Sequence, residues 1–344
     1  MKGLTWKHRS TIAGLAIVVC AFGFLIGWYV RGATTDPGTP QPLRLNSDAY
    51  SFINPLLSCN FSAISAFPQD DAMNETVSAV IRQHEALGDI ASGSVYFSDF
   101  STAHFTNVNS AFKYYPSSIA KIPIMMAYYE LAEGSSSILD REITYPAGGQ
   151  DLNAYQETKP AVPLVPGRTY TMEELIEHMI KYSDNNAAQL LFAAGNQDAI
   201  TGVYNDLQIP FEGTVTANNL DFMTPQQISA LFRVLYNATY LSRTYSEKAL
   251  ALLSQSDFRE GLVAGVPSST VVSHKFGIVA LLANGIETNR ELHDCGIVYA
   301  PNHPYALCIM TRGSALDPDS LTRMETTIAD ISRAVYSKVA ADGD

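Results

Sequence analysis

The sequence predicts an α+β fold, a layered α/β arrangement in which a mainly antiparallel sheet is flanked by terminal helices and split by an all-helical insertion. Three observations predict it. Strand-like runs fall in two groups far apart in the chain, a long block of helical periodicity separates them, and a further helical run sits at each end. A groove between sheet and insertion is then the natural place for a site.

The elements follow in order. Residues 72–87 read as a helix with apolar positions at Val77, Val80, Ile81 and Leu87. Two strand-like runs follow, 92–98 and 102–107. The helical block holds 117–133, ended by Gly134; 172–182; 186–194, ended by Gly195; 197–207; 225–237; and 246–254. Thr171 with Glu174 and Thr224 with Gln227 read as capping boxes, and Pro225 suits a first helical position. Strands return at 269–275, 294–300 and 304–311, the last two joined as a hairpin through Pro301-Asn302-His303. The run 319–340 places Leu321, Met324, Ile328, Ile331, Val335 and Val339 at helical spacing.

With 344 residues, 47% hydrophobic and 16% charged, the chain has ample material for a core. A net charge of -12 and the lack of any basic stripe exclude nucleic acid as a partner. Thr11 to Val30 is uncharged and mostly apolar, and as a helix would rise roughly 30 Å, enough to span a bilayer. Lys2, Lys7 and Arg9 precede it, so residues 1–10 are expected in the cytoplasm and the rest of the chain outside the cell membrane. The alternative is a cleaved signal peptide. The run is longer than an h-region of about 7–15 residues and ends in Trp28-Tyr29-Val30-Arg31, not in a small-x-small site.

An anchor at 11–31 is therefore expected, a Pro-, Thr- and Gly-rich linker at 32–48, and one domain at 49–344. Cys20 lies in the apolar run, and Val18-Val19 before it are too bulky for a lipidation site. Of Cys59, Cys295 and Cys308, two are expected to pair and one to stay free; which two is left open. No spacing suggests a metal site.

Three short motifs fall at the seams between sheet and insertion. Ser118 and Lys121, three residues apart at a helix start, share a helix face. A serine beside a lysine kept neutral by burial is one way to make a nucleophile without histidine. Ser183-Asp184-Asn185 taken alone reads as a helix cap, and Lys275-Phe276-Gly277 as the close of an edge strand. Ser117 reads as local capping, His274 and His293 as structural histidines, and Tyr114, Tyr115, Tyr128 and Tyr129 as groove wall and core.

Taken together, S-I-A-K, S-D-N and K-F-G in this order resemble the S-x-x-K, S-D-N and K-T-G set of class A β-lactamases and penicillin-binding proteins. The resemblance runs over roughly residues 72–340, through Thr-Met-Glu-Glu-Leu-Ile before Ser183 and Met-Thr-Pro at 223–225. It implies a serine hydrolase without metal or cofactor. Ser118 would attack a carbonyl, Lys121 would take its proton, and Ser183 would relay a proton to the leaving nitrogen beside Lys275. Asn185 would orient the substrate amide, Lys275 would meet a substrate carboxylate, and Gly277 and Ile278 would complete the substrate-binding strand. The Ser118 and Ile278 N–H groups would form the oxyanion hole.

Two departures qualify the resemblance. Phe276 stands where the family carries Thr or Ser, removing a hydroxyl worth on the order of 1.5–3 kcal/mol to a bound carboxylate. The E-x-x-L-N motif that positions a deacylating water is missing. Between Asn185 and Lys275 stand only Glu212, Glu247 and Glu260, of which Glu247 reads as first-turn helix, Glu260 as loop and Glu212 as a poor substitute base. The expectation is a membrane-anchored, extracytoplasmic serine hydrolase that acylates on Ser118 with β-lactam or D-alanyl-peptide substrates and deacylates β-lactams slowly. A D,D-peptidase acting on peptidoglycan stem peptides, and a penicillin-binding sensor without turnover, are the alternatives.

Overall fold

Chain order accounts for the architecture. The structure, a computed structural model, describes residues 43–45, 49–58, 68–210, 221–283, 286–314 and 317–342. The apolar run 11–30, Cys20, Cys59 and Glu212 lie outside them, and among the described residues no helix is long and apolar enough to cross a membrane.

Helix α1 (Asp71–Leu87) starts where the Asp70 carboxylate accepts the Met73 N–H and stops at Gly88, whose φ of 76° the missing Cβ permits. It buries Met73, Val77, Ile81 and His84, while Leu87, expected on the apolar face, is exposed. Strands β3 (Ser92–Asp99) and β4 (Phe105–Val108) follow, after a two-residue pair of Leu43–Arg44 (β1) with Leu56–Ser58 (β2). That first pair reaches into the stretch read as linker from composition.

The insertion carries α2 (Lys121–Gly134), the short pair β5 (Glu142–Thr144) and β6 (Thr169–Thr171), then α3 (Met172–Lys181), α4 (Asn185–Ala193), α5 (Gln197–Asp206), α6 (Pro225–Tyr236) and α7 (Arg243–Leu253). Both expected capping boxes are present, at Thr171 and Thr224. Helix α7 begins three residues before the expected 246, capped by Ser242. Glu247 is thus not in its first turn; its carboxylate accepts the backbone N–H groups of Ser51, Phe52 and Ile53.

The chain returns to the sheet through β7 (Val272–Ala283), β8 (Ile286–Val298) and β9 (Tyr305–Ser314), and ends in α8 (Ser320–Asp342). The sheet order is β4-β3-β9-β8-β7, antiparallel throughout, which leaves β7 as an edge. Strands β7 and β8 are about twice as long as expected. Val279-Ala-Leu-Leu-Ala283 carries no polar alternation and favours helix locally, so only its pairing with β8 makes it a strand.

The sheet separates two cores. On one face Val95, Phe97, Leu307 and Ile309 pack against Met73, Ile81, Ile328 and Val335 of the terminal helices. On the other, Cys295, Ile297, Ala306 and Met310 pack against the insertion. Cys295 and Cys308, opposite one another in β8 and β9, form the disulfide, which decides the pairing left open above.

Candidate active site

Ser118 lies in a 3-10 turn, Ser117–Ala120, that passes directly into α2. The turn is held by the sheet. Ser117 has φ 51°, a left-handed conformation uncommon for a residue with a side chain, and its hydroxyl donates to the Ile278 carbonyl at 2.6 Å. It makes no capping bond, contrary to its reading as a cap; it ties the Ser118 turn to β7. Gly277 is required on the other side. A Cβ there would stand 2.7 Å from the Pro116 carbonyl and 3.3 Å from the Ser118 nitrogen, so any larger residue would push the turn off the strand.

Three residues upstream, the Tyr115 peptide is gripped from the sheet. Its N–H donates to Glu291 at 3.0 Å, and the His293 Nε2–H donates to its carbonyl at 3.1 Å. Arg312 completes the cluster by donating to Glu291. His293 and His274 are both fully buried and structural; His274 bonds Asp294 at 2.8 Å through Nδ1. Tyr114, Tyr128 and Tyr129 are core and Tyr115 lines the cleft, as expected.

The Ser183–Asn185 turn faces Ser118 from the insertion. Ser183 has φ 55°, and the strain is held by a buried polar network. Asp184 caps α4 by accepting from the N–H groups of Asn186 and Ala187, and also accepts from the Asn153 amide and the Leu164 N–H. Asn153 in turn accepts the Asn185 N–H at 2.8 Å, and Gln156 donates to the Ser183 carbonyl at 2.8 Å. The cap reading of this triplet is therefore correct, and the same turn places Ser183 and Asn185 in the cleft lining.

Lys121 and Lys275 converge on Ser183. Lys121 Nζ, buried, donates to the Ser183 carbonyl at 2.6 Å and to Asn185 Oδ1 at 2.7 Å, and lies 3.2 Å from Ser183 Oγ. Lys275 Nζ reaches Ser183 Oγ at 3.0 Å and the Phe276 carbonyl at 3.1 Å. Burial, and then the nearby Lys275 charge, push the Lys121 amine well below the ordinary lysine range, with Asp184 pulling the other way. Burial lowers Lys275 to about 7 against the opposing pull of Asp294 and Asp257.

Phe276 has a use that its missing hydroxyl conceals. Its ring stacks on Phe258 at 4.3 Å and lies 4.0 Å from Lys275 Nζ, giving the buried cation an aromatic face. The cleft between β7 and the insertion holds about 540 Å³ and is lined by Ser118, Lys121, Ser183, Asn185, Phe276 and Ile278. Tyr155, Gln156, Glu157 and Thr158 form its outer wall. That wall and Asn153 escaped the sequence reading, because an irregular loop carries no periodicity and Asn153 acts only through Asp184 and Asn185. The Asp151–Asn153 turn, where Asp151 accepts the Asn153 N–H, was the one local signal.

A strained, cleft-lining serine turn, a buried lysine pair and a capped Ser-Asp-Asn turn on this fold define a serine hydrolase. The chain belongs to the Beta-lactamase enzyme family, whose model matches residues 73–339. A β-lactamase of Bacteroides uniformis is 26% identical over 238 residues, covering 64% of this chain and 77% of that protein. Among solved structures, a variant of PBP-A captured as its acyl-enzyme with penicillin G shares the fold, with TM-score 0.63 and 18% identity over 80% of this chain and 98% of its own. A class A β-lactamase of Bacteroides cellulosilyticus does so with TM-score 0.62 and 19% identity over 78% of this chain and 99% of its own.

Proposed function

We propose that this protein forms an acyl-enzyme on Ser118 with β-lactams or D-alanyl peptides, acting outside the cell from a membrane anchor at 11–31, and that it deacylates β-lactams slowly. The observation that carries the reading is the hydrogen bonding of Lys121. The Ser183 carbonyl and Asn185 Oδ1 can only accept, so they take both N–H groups of a neutral amine and leave its lone pair for a proton. Lys121 then draws the proton from Ser118 Oγ as that oxygen bonds the substrate carbonyl carbon. The developing oxyanion sits against the N–H groups of Ser118 and Ile278.

Ser183 Oγ, accepting from Lys275 at 3.0 Å, has its own O–H free to donate to the departing nitrogen, and regains a proton from the Lys121 side. The carbon–nitrogen bond breaks, and the acyl group stays on Ser118. Lys275 supplies the positive charge for a substrate carboxylate, and Asn185 the amide contact. Slow release follows from the missing E-x-x-L-N motif and from the engagement of Glu157, a carboxylate of the cleft wall, by Arg290 at 2.7 Å.

The test uses the full chain in detergent with a fluorescent penicillin and a chromogenic cephalosporin. The expected result is a stable adduct, mapped by mass spectrometry to the peptide holding Ser118, with little steady turnover. Rapid turnover would overturn slow deacylation, and an adduct elsewhere, or none, would overturn the nucleophile. The anchor is checked separately, by carbonate extraction of membranes from cells expressing the full chain and a form lacking residues 1–31.

The pH profile carries a second prediction. Lys275 loses its charge as pH rises through about 7, so kcat/KM for acylation by an anionic penicillin is expected to fall above that pH. An uncharged ester forms no ion pair with Lys275 and should show a shallower falling limb, left only by the action of Lys275 on Lys121 and Ser183. Identical profiles for the two substrates would remove Lys275 as the carboxylate partner.

A further inference from the structure

An oxyanion hole made by Ser118 and Ile278 draws its two N–H groups from distant parts of the chain, so the gap between them must be fixed by something else. Strand β8 lies behind both. In the β7–β8 register Ile278 stands opposite Leu292, with Gly277 opposite His293 and Val279 opposite Glu291. The Ile278 carbonyl accepts from Ser117 Oγ, so the Ile278 backbone groups face the cleft and away from β8. Backbone groups alternate along a strand, so those of Gly277 and Val279 face β8, where His293 and Glu291 are their hydrogen-bonded partners. Ile278 is thereby held from both sides by the backbones of Glu291 and His293.

The side chains of the same two residues hold the other half. Glu291 Oε2 accepts the Tyr115 N–H at 3.0 Å, and the His293 Nε2–H donates to the Tyr115 carbonyl at 3.1 Å. Only Pro116, its φ of -66° fixed by the ring, and Ser117, at φ 51°, separate that grip from the Ser118 N–H. The grip is itself anchored. Arg312, directly opposite Glu291 in β9, donates to Glu291 Oε1 at 2.9 Å and also binds Asp221. Burial opposes a charge on Glu291, but the bonds from His293 and Arg312 prevail and hold its carboxyl below the usual range. One carboxylate oxygen thus belongs to the centre of the sheet and the other to the turn. A buried ion pair stabilises little by itself, and holding a strained turn gives this one a use.

We infer that Glu291 and His293 are positioning residues of the oxyanion hole, setting the gap between the Ser118 and Ile278 N–H groups through their side chains on one half and their backbones on the other. The inference rests on Ser118 being the nucleophile, as proposed above, and gives a role to two buried groups that the chemistry otherwise leaves unused. Neither touches the substrate. Their effect falls on the step in which the carbonyl oxygen gains negative charge, because a ground-state carbonyl makes little demand on the hole.

The experiment uses the full chain in detergent and a reporter penicillin, measuring the limiting acylation rate and the dissociation constant of the complex that precedes it. A boronic acid with the same side chain, which forms a tetrahedral anion on Ser118, reports the hole directly. Glu291→Gln sets an amide N–H against either Arg312 or the Tyr115 N–H, a donor facing a donor, and so breaks one end of the grip. The acylation rate and the boronate affinity should each fall about a hundredfold, while the penicillin dissociation constant stays within about threefold. His293→Leu should do the same. His293→Gln returns an N–H near the Nε2 position and loses nothing at Nδ1, which finds no hydrogen-bond partner among the described residues, so it should recover most of the rate. The infrared carbonyl band of the acyl-enzyme should rise in wavenumber in Glu291→Gln and His293→Leu, since hydrogen bonds from the hole lower it, and return in His293→Gln.

A lower melting temperature with unchanged acylation rate, boronate affinity and carbonyl band would make the grip mere scaffold and overturn the inference. A loss carried by the penicillin dissociation constant, with the limiting rate intact, would overturn it as well. A His293→Gln variant as slow as His293→Leu would remove His293 from the role, and this pair decides the matter where Glu291→Gln fails to fold. An unaltered protein that penicillin does not acylate would instead overturn the nucleophile, and the inference with it.

Discussion

Replacing Lys121 with methionine lowers the rate of acylation by about a thousandfold, within the usual range for removing a base that takes the nucleophile's proton. Methionine fills the space of the lysine stem but has no lone pair basic enough to accept the Ser118 proton. The variant is expected to fold, because the native protein disfavours the charged amine at this buried position. The sign of the stability change with pH identifies that penalty. Lys121 has a lower pKa folded than unfolded, so the unfolded chain holds more protons, and the unaltered protein gains stability as pH rises toward the ordinary lysine value. Methionine does not titrate. Its stability relative to the unaltered protein should therefore be most favourable at low pH and decline as pH rises. Stopped-flow acylation with a reporter penicillin and thermal melts from pH 6 to 9 measure both. Acylation within tenfold of the unaltered rate would remove Lys121 from the chemistry.

Asp184→Ala is expected to cost about 4 kcal/mol of stability, the largest single-residue loss argued from this site. The carboxylate is fully buried and accepts from Asn186, Ala187, Asn153 and Leu164, so truncation strands donors from three segments at once. At about 2–4 °C per kcal/mol for a domain of this size, the melting temperature should fall by about 10 °C. Ser183, held at φ 55° by the same network, should relax toward an ordinary backbone conformation. Acylation would then fall in the molecules that remain folded. Asp184→Asn keeps the volume and one accepting oxygen and should lose about half as much. A melting temperature within 2 °C of the unaltered protein for Asp184→Ala would mean that the network does not hold the turn.

How much was legible in the sequence depended on how local each signal is. The Ser118–Lys121 spacing is a property of one turn of helix, and the Thr171 and Thr224 capping boxes need only four residues each. The order of strands and helices, and with it the sandwiching of a sheet between terminal helices and an insertion, followed from periodicity. Strand length did not. Residues 279–283 and 286–293 are strands because they pair with one another and with β9, and their composition alone does not call for it. The roles of Asn153, Gln156 and Ser117 were equally hidden, since each acts on a partner 27 or more residues away. Phe276 was legible as the loss of a hydroxyl but not as the aromatic face against Lys275, a contact completed by Phe258 stacking on its far side.

The sequence by itself determined the nucleophile candidate, its lysine neighbour, the two distant motifs and the fold that would bring them together. These rest on short-range geometry and on the pattern of apolar residues, which the linear chain displays directly. Only the tertiary structure decided which groups Lys121 hydrogen-bonds, which cysteines pair, and how far the edge of β7 extends along the cleft. Those depend on contacts that no local pattern records, between positions 13 residues apart for the disulfide and 62 for Lys121 with Ser183, and on burial, which lowers the pKa of both lysines. A chain of residues encodes such contacts only through the fold that makes them.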